Sequence, residues 1–376
     1  MLVHLKGGGS IYWPSTNFAS SVAPDYSDFD LPAVLLEACE RRGVRLHAWF
    51  IDYFEGSNGE AYRSHPEWAA LNAAGKTTQS ETLRGEPYSP LWMCPARRPG
   101  YTDQWLVPLY REFASRYGFE AIHHDYIRYP GDLAPDQYCF CDYCLEHIPR
   151  WAGYVNEAFP EEPFYHELYD RPYLEAHWEQ SPRVLPANWA KLDRVSKSRF
   201  LLEGSFFQAG RHDLDYFFYQ FRVESVQQFA QLARAAVREV RSEMKLSAAV
   251  FKNPVHSGRF IGQDWRKFVG YVDHLLPMDY RDHFPGTFAQ YLALLKESIF
   301  RQKEWTSDFE ALWPGLAVNF LYKEELAAGE KSFSPDKFEA VVETIASTGV
   351  DGLAIFCESQ LHQFGLWETA KRCFGR

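Results

Sequence analysis

The sequence predicts an α/β fold on parallel strands, a TIM-like (β/α) barrel. Strand-like apolar runs alternate with segments of helical periodicity along the 376 residues, with no hairpin signals between them. The runs are apolar at successive positions, as strands covered on both faces require. Several of them end in ionisable residues, and carboxyl ends of strands are where such barrels keep their chemistry. Seven such strands are legible in the chain, whereas a closed barrel wants eight. Either one strand lies in the irregular region or the chain starts one strand late, and the expectation is one barrel domain over residues 1–376 with its first strand missing or altered. An unpaired edge there would be open to self-association or covered by a loop.

Composition narrows the partners. Fifty acidic against 39 basic residues give a net charge of −11 with no basic block, which argues against nucleic acid and anionic membrane. No apolar run approaches the ~20 residues of a membrane-spanning helix. Nor does a signal peptide show, since Met1–Leu5 leads directly into a strand pattern. Aromatic residues make up 17% of the chain, an excess that suits a cleft stacking flat sugar faces as well as a bulky core.

Taken in order, Met1–Leu5 reads as a strand running into Gly7-Gly8-Gly9. That triplet lacks the Lys-Ser/Thr and helix start of a phosphate loop. Asp30–Gly43 reads as a helix, with Asp30 as cap, Pro32 in the first turn and Gly43 closing it. Strand Val44–Ile51 runs out into Asp52, Tyr53 and Glu55, and a long irregular stretch follows to Cys94. Helix Thr102–Tyr117 carries Pro108 in its first turns. After the next strand, residues 131–214 lose periodicity and form an insertion too long for an ordinary βα loop, expected to pack over the site as a lid. A helix over Tyr216–Met244, a strand Lys245–Phe251, a short helix Gln263–Val269 and a strand Val272–Tyr280 follow. Helix Thr287–Trp305, strand Leu316–Phe320, helix Ser334–Thr348 and strand Gly352–Glu358 complete the chain.

The most informative stretch is Phe119–Pro130, an apolar run that breaks into His123, His124, Asp125 and Arg128. Alternation puts His123 and Asp125 on one face and His124 on the other. Charges are too costly to leave unpaired in a core, so this strand end marks a site or a salt-bridged Asp125–Arg128 pair.

Four blocks in order make the chain resemble glycosyl-hydrolase-like family 10. They are Gly-Ser-Ile-Tyr-Trp-Pro-Ser at 9–15, Leu-His-Ala-Trp-Phe at 46–50, Ala-Ile-His-His-Asp-Tyr-Ile-Arg-Tyr-Pro at 121–130, and Gln-Asp-Trp with Val-Asp-His-Leu-Leu-Pro-Met-Asp-Tyr within 263–280. The resemblance spans nearly the whole chain, and the third block is the most specific. It implies a barrel with a glycan cleft at the carboxyl ends of its strands. It also implies that Asp125 ends the fourth strand and Asp279 the sixth, where distantly similar retaining glycosidases keep nucleophile and acid/base. His124 stands where the family more usually has an apolar residue, and the family's front strand is absent.

Glycoside hydrolysis needs one carboxylate to attack or to activate water and one carboxyl to release the leaving oxygen. Asp125 and Asp279 are the expected pair. Asp279 follows Leu275-Leu-Pro-Met, a greasy collar able to hold its proton, although a cap or loop contact would look the same. Glu358, Asp52 and Glu55 are substitutes for it. Trp49, Tyr12, Trp13 and Tyr280 are candidate sugar platforms, and Lys6, His123, Arg128 and Asn319 candidate hydroxyl ligands. No cofactor is required.

Cys139, Cys141 and Cys144, with His147 close behind and Cys94 far off in sequence, could hold a structural zinc. Reduced thiols or one disulfide pinning the lid are the plainer readings. Two further function classes fit the same residues. One is a non-catalytic glycan-binding barrel, and the other a metal-dependent hydrolase using His123 and Asp125.

Overall fold

The computed structural model describes residues 1–158, 188–203 and 214–375, so 159–187 and 204–213 of the expected 131–214 lid lie outside the described residues. The chain forms two compact units, one of residues 1–245 and 255–271 and the other of 246–254 and 272–376. The chain is of the predicted α/β class, with parallel strands and helices in alternation. No closed ring of paired strands occurs among the described residues.

In the first unit, strands Leu2–Lys6, His47–Ile51 and Ala121–Asp125 run parallel. Their register sets His4 beside Trp49 and Trp49 beside His123, with Ile51 beside Asp125. Because side chains alternate, His4, Trp49, His123 and Asp125 share one face. The opposite face is packed by helices. Phe50 meets Tyr110 and Phe113 of helix Val107–Arg116, and Phe229 of helix Leu214–Val240 stacks edge-on to Tyr110 and His124.

That face carries one polar cluster. Tyr110 donates to Asp52 Oδ1 at 2.6 Å, and His124 Nδ1 lies 2.9 Å from Asp52 Oδ2, all three side chains fully buried. His124 therefore takes up a polar role behind the sheet. It satisfies a carboxylate that would otherwise be stranded in the core.

Local chemistry explains the helix ends. Asp30 accepts from the Ala33 amide, and Gly43 adopts φ 65° after helix Leu31–Glu40. Pro108 has no N–H to give, and the turn before it, Thr102–Leu106, widens into a π-helical turn.

In the second unit, strands Lys245–Val250, His274–Pro277 and Ala311–Leu312 are parallel, and Gly315–Ala317 pairs parallel with Ala354–Phe356. Helix Phe288–Trp305 opens with a capping box between Thr287 and Gln290. It buries Tyr291, Leu295 and Ile299 against Phe338, Val341 and Ile345 of helix Pro335–Ala346.

Two expectations are corrected. The stretch to Cys94 holds a hairpin, Thr82–Leu83 against Glu86–Pro87, turned by Arg84 at φ 52° and Gly85 at φ 86°. Arginine is a rare choice at a positive-φ position, so the turn gave no signal. The expected strand Leu316–Phe320 stops at Ala317, and Val318–Leu321 turns helical.

Removing the carboxylate in Asp52→Ala should strand two buried polar partners and cost about 2–3 kcal/mol in urea unfolding. Asp52→Asn, which keeps an acceptor, should cost clearly less.

Candidate functional site

Asp125 is the last residue of its strand and is half-buried. Its two oxygens are each held by a donor: Trp49 Nε1 gives to Oδ2 at 3.0 Å and the Tyr126 amide to Oδ1 at 2.7 Å. Tyr126 sits at φ 54°, a left-handed conformation unusual for a bulky residue, and this turn of the chain brings its amide back onto Asp125. Burial raises the Asp125 carboxyl above its ordinary range, while the nearby Arg128 charge and the two N–H donors pull it back. The result is a fixed carboxylate whose proton affinity is high for an aspartate.

Rings surround it. The His4 ring centroid lies 4.8 Å from that of Trp49 and 5.4 Å from that of Tyr12, and Trp92 lies 5.6 Å from Tyr126. Arg128 is held over Tyr126 and Trp92 at 4.6 and 5.2 Å, so its charge faces aromatic surface beside Asp125. His123 is buried, and burial together with His47 and His124 holds its imidazole well below the usual histidine range, neutral at pH 7. His4 was not anticipated. Its signal was register, since it shares the Asp125 face one strand beyond Trp49, and register is invisible until the strands are paired.

Several expected site residues lie elsewhere. Lys6 is buried, donating to the Ile51 carbonyl at 2.5 Å and lying 3.6 Å from Glu55 Oε2, which itself accepts from Tyr101 at 2.5 Å. Both charges are spent in that internal pair rather than on sugar. Trp13 stacks on Phe50 in the helix-side core and donates to Glu112. Asp52, as shown, faces the helices.

In the second unit, Asp279 is fully buried and turned onto helix Phe288–Trp305, where Gln302 donates to Oδ1 at 3.0 Å and Ser298 at 3.5 Å. Its Oδ2 is buried with no hydrogen-bond partner. Burial pushes this carboxyl up to about 7, against the smaller opposing pull of Gln302, the Lys252 charge and Ser298. The expected proton-holding environment is present, and the carboxyl is turned onto the helix layer.

Tyr280 lies near Phe320 and Phe356 with ring centroids 6.0 and 6.4 Å away, an aromatic group at strand ends that suits a sugar platform. Asn319 keeps a buried Oδ1 without a partner. Glu358 does not end the last strand. That strand stops at Phe356, and Glu358 opens the following helix, 69% exposed and 2.9 Å from His362 Nε2.

Among the described residues, one group of potential metal ligands stands close together: Cys94, Cys139, Cys141 and Cys144. His147 is not part of it, being stacked on Tyr143 with Nδ1 2.7 Å from that residue's carbonyl. His123 and Asp125 belong to no such group among the described residues.

The chain matches, over residues 35–298, the model of the family described as "Putative glycosyl hydrolase domain". No curated protein matches it. Among solved structures it is similar to the PgaB (BpsB) glycoside hydrolase domain from Bordetella bronchiseptica, with a TM-score of 0.63 at 13% identity, covering 98% of this chain and 87% of that one. It is also similar to α-L-fucosidase isoenzyme 2 from Paenibacillus thiaminolyticus, with a TM-score of 0.53 at 15% identity over 99% of this chain but 43% of that one. The catalytic domain of β-amylase from Paenibacillus polymyxa gives a TM-score of 0.51 at 11% identity, over 98% and 90% of the two chains. At these identities the structural likeness establishes the barrel fold. The family match covers well over half of the chain, which belongs to that glycosyl-hydrolase-related family.

The Asp279 carboxyl sets a pH dependence. Its folded pKa lies above the unfolded value, so the folded state keeps a proton that the unfolded chain has released between about pH 4 and 7. Stability from this group is highest below that window and falls through it by about 1.4 kcal/mol per pH unit. Urea unfolding of Asp279→Asn should show that slope removed, leaving the variant relatively more stable at pH 8 than at pH 5.

Proposed function

We propose, with this family membership as premise, that the protein is a glycoside hydrolase cleaving an oligo- or polysaccharide, with Asp125 as the carboxylate that meets the sugar. The observation that carries the reading is the setting of Asp125: a strand-end carboxylate, partly open, fixed by Trp49 and the Tyr126 amide and bordered by rings suited to sugar faces. The four sequence blocks support the finer placement in glycosyl-hydrolase-like family 10.

In this proposal Asp125 is the nucleophile of a retaining reaction, forming a glycosyl-enzyme ester that water then hydrolyses. The donors on its two oxygens aim it and favour its ionised form, and the neutral His123 on the same face adds no competing charge. Asp279 is committed to the helix layer, where Gln302 and Ser298 hold it. Trp49 and Tyr12, in the same unit as Asp125, would bind sugar.

A second reading, a barrel that binds glycan without cleaving it, is favoured by one observation: the acid first expected, Asp279, is fully buried and held by Gln302 of helix Phe288–Trp305. Turnover of aryl glycosides by the wild-type chain separates the two.

With a turned-over substrate, Asp125→Asn should lower kcat by about 10²–10⁴-fold while leaving sugar binding and the unfolding midpoint nearly unchanged. Asp279→Asn should leave turnover near wild type, and a variant as inactive as Asp125→Asn would overturn that structural reading of Asp279.

A further inference from the structure

We infer that Cys94, Cys139, Cys141 and Cys144 form a structural zinc site that staples together the two long excursions flanking Asp125. All four sulfurs lie within 4.8 Å of one another, and all four residues are buried. Two of the Sγ separations, Cys94–Cys144 at 3.6 Å and Cys141–Cys94 at 3.7 Å, can be compared with the edge of a zinc tetrathiolate. A tetrahedron with ~2.3 Å Zn–S bonds has S–S edges of ~3.8 Å. The four thiols thus already stand close to the corners that Zn²⁺ requires.

The surroundings are those of thiolates. The amides of Leu71 and Cys141 both donate to Cys139 Sγ at 3.4 Å. Such N–H···S bonds orient a metal ligand and offset its negative charge. Arg222 is buried nearby, with its charge felt by Cys139 and Cys144, and supplies a positive counterpart to a site whose net charge would be −2.

The site joins distant parts of the chain. Cys94 closes the long stretch after the Trp49 strand, and its amide donates to the Trp68 carbonyl. The other three lie between the Asp125 strand and the first turn of helix Asp142–Ala158, where the Phe140 amide reaches the Leu71 carbonyl at 2.7 Å. Trp92, two residues before Cys94, borders Tyr126 and Arg128. Binding at the four sulfurs would therefore fix the wall beside Asp125. All four ligands are saturated by protein, which is the pattern of a structural rather than a catalytic zinc.

The test is metal analysis of the full chain, produced in zinc-supplemented medium and purified without chelator. One zinc per chain is expected, released by a thiol-blocking mercurial. Substitution by Co²⁺ should give the intense visible absorption of a tetrahedral cobalt thiolate. In competition with a zinc-binding dye, Cys94→Ser should weaken zinc by at least about 100-fold, beyond what loss of an outer-shell partner costs. Cys373→Ser, whose thiol lies outside the cluster, should not. If Cys94→Ser fails to fold, the wild-type stoichiometry and cobalt spectrum decide. Folded wild-type protein without zinc, bound iron in its place, or a disulfide between any two of the four cysteines would overturn the assignment.

Discussion

The period-two alternation of the parallel strands governs the chemistry of this molecule. In the first unit the strands have one face packed by helices and another that carries Asp125, so a shift of one residue moves a charge from one setting to the other. Asp125 falls on the face shared with His4, Trp49 and His123. Asp52 and Asp279 fall on helix-packed faces. The same residue type at the end of the same kind of strand is thus a partly open carboxyl in one place and a buried, helix-facing one in another.

The molecule meets the cost of its helix-side carboxylates in two ways. Asp52 is surrounded by donors, with Tyr110 and His124 both within hydrogen-bond distance. Asp279 has donors on one oxygen only, and burial therefore favours its protonated form. Asp125 differs from both in being partly open. Its two donors fix its direction without closing it off, and the Tyr126 backbone conformation that supplies one of them is uncommon outside glycine.

Loops after strand ends supply the walls of such a site, and long loops need something to hold them. Here the stretch after the Trp49 strand and the stretch after the Asp125 strand converge on four cysteines and on the Phe140–Leu71 backbone bond. Trp92 and Tyr126, whose rings meet beside Arg128, belong to those same two stretches. Order in the cysteine cluster and order beside Asp125 are in this way linked through the backbone.

The sequence alone determined the barrel class, the helix cap at Asp30 and the singling out of Asp125, because caps, periodicity and a charge ending an apolar run are all local signals. It also brought Cys139, Cys141 and Cys144 together, since they are adjacent along the chain. Only the tertiary structure decided which face each strand presents to helices, and with it the fates of Asp52, Asp279, Trp13 and Lys6. Register between strands brought in His4, and the fold replaced His147 with Cys94. Those outcomes depend on contacts between residues tens of positions apart, and no local pattern encodes which partner a buried charge will find.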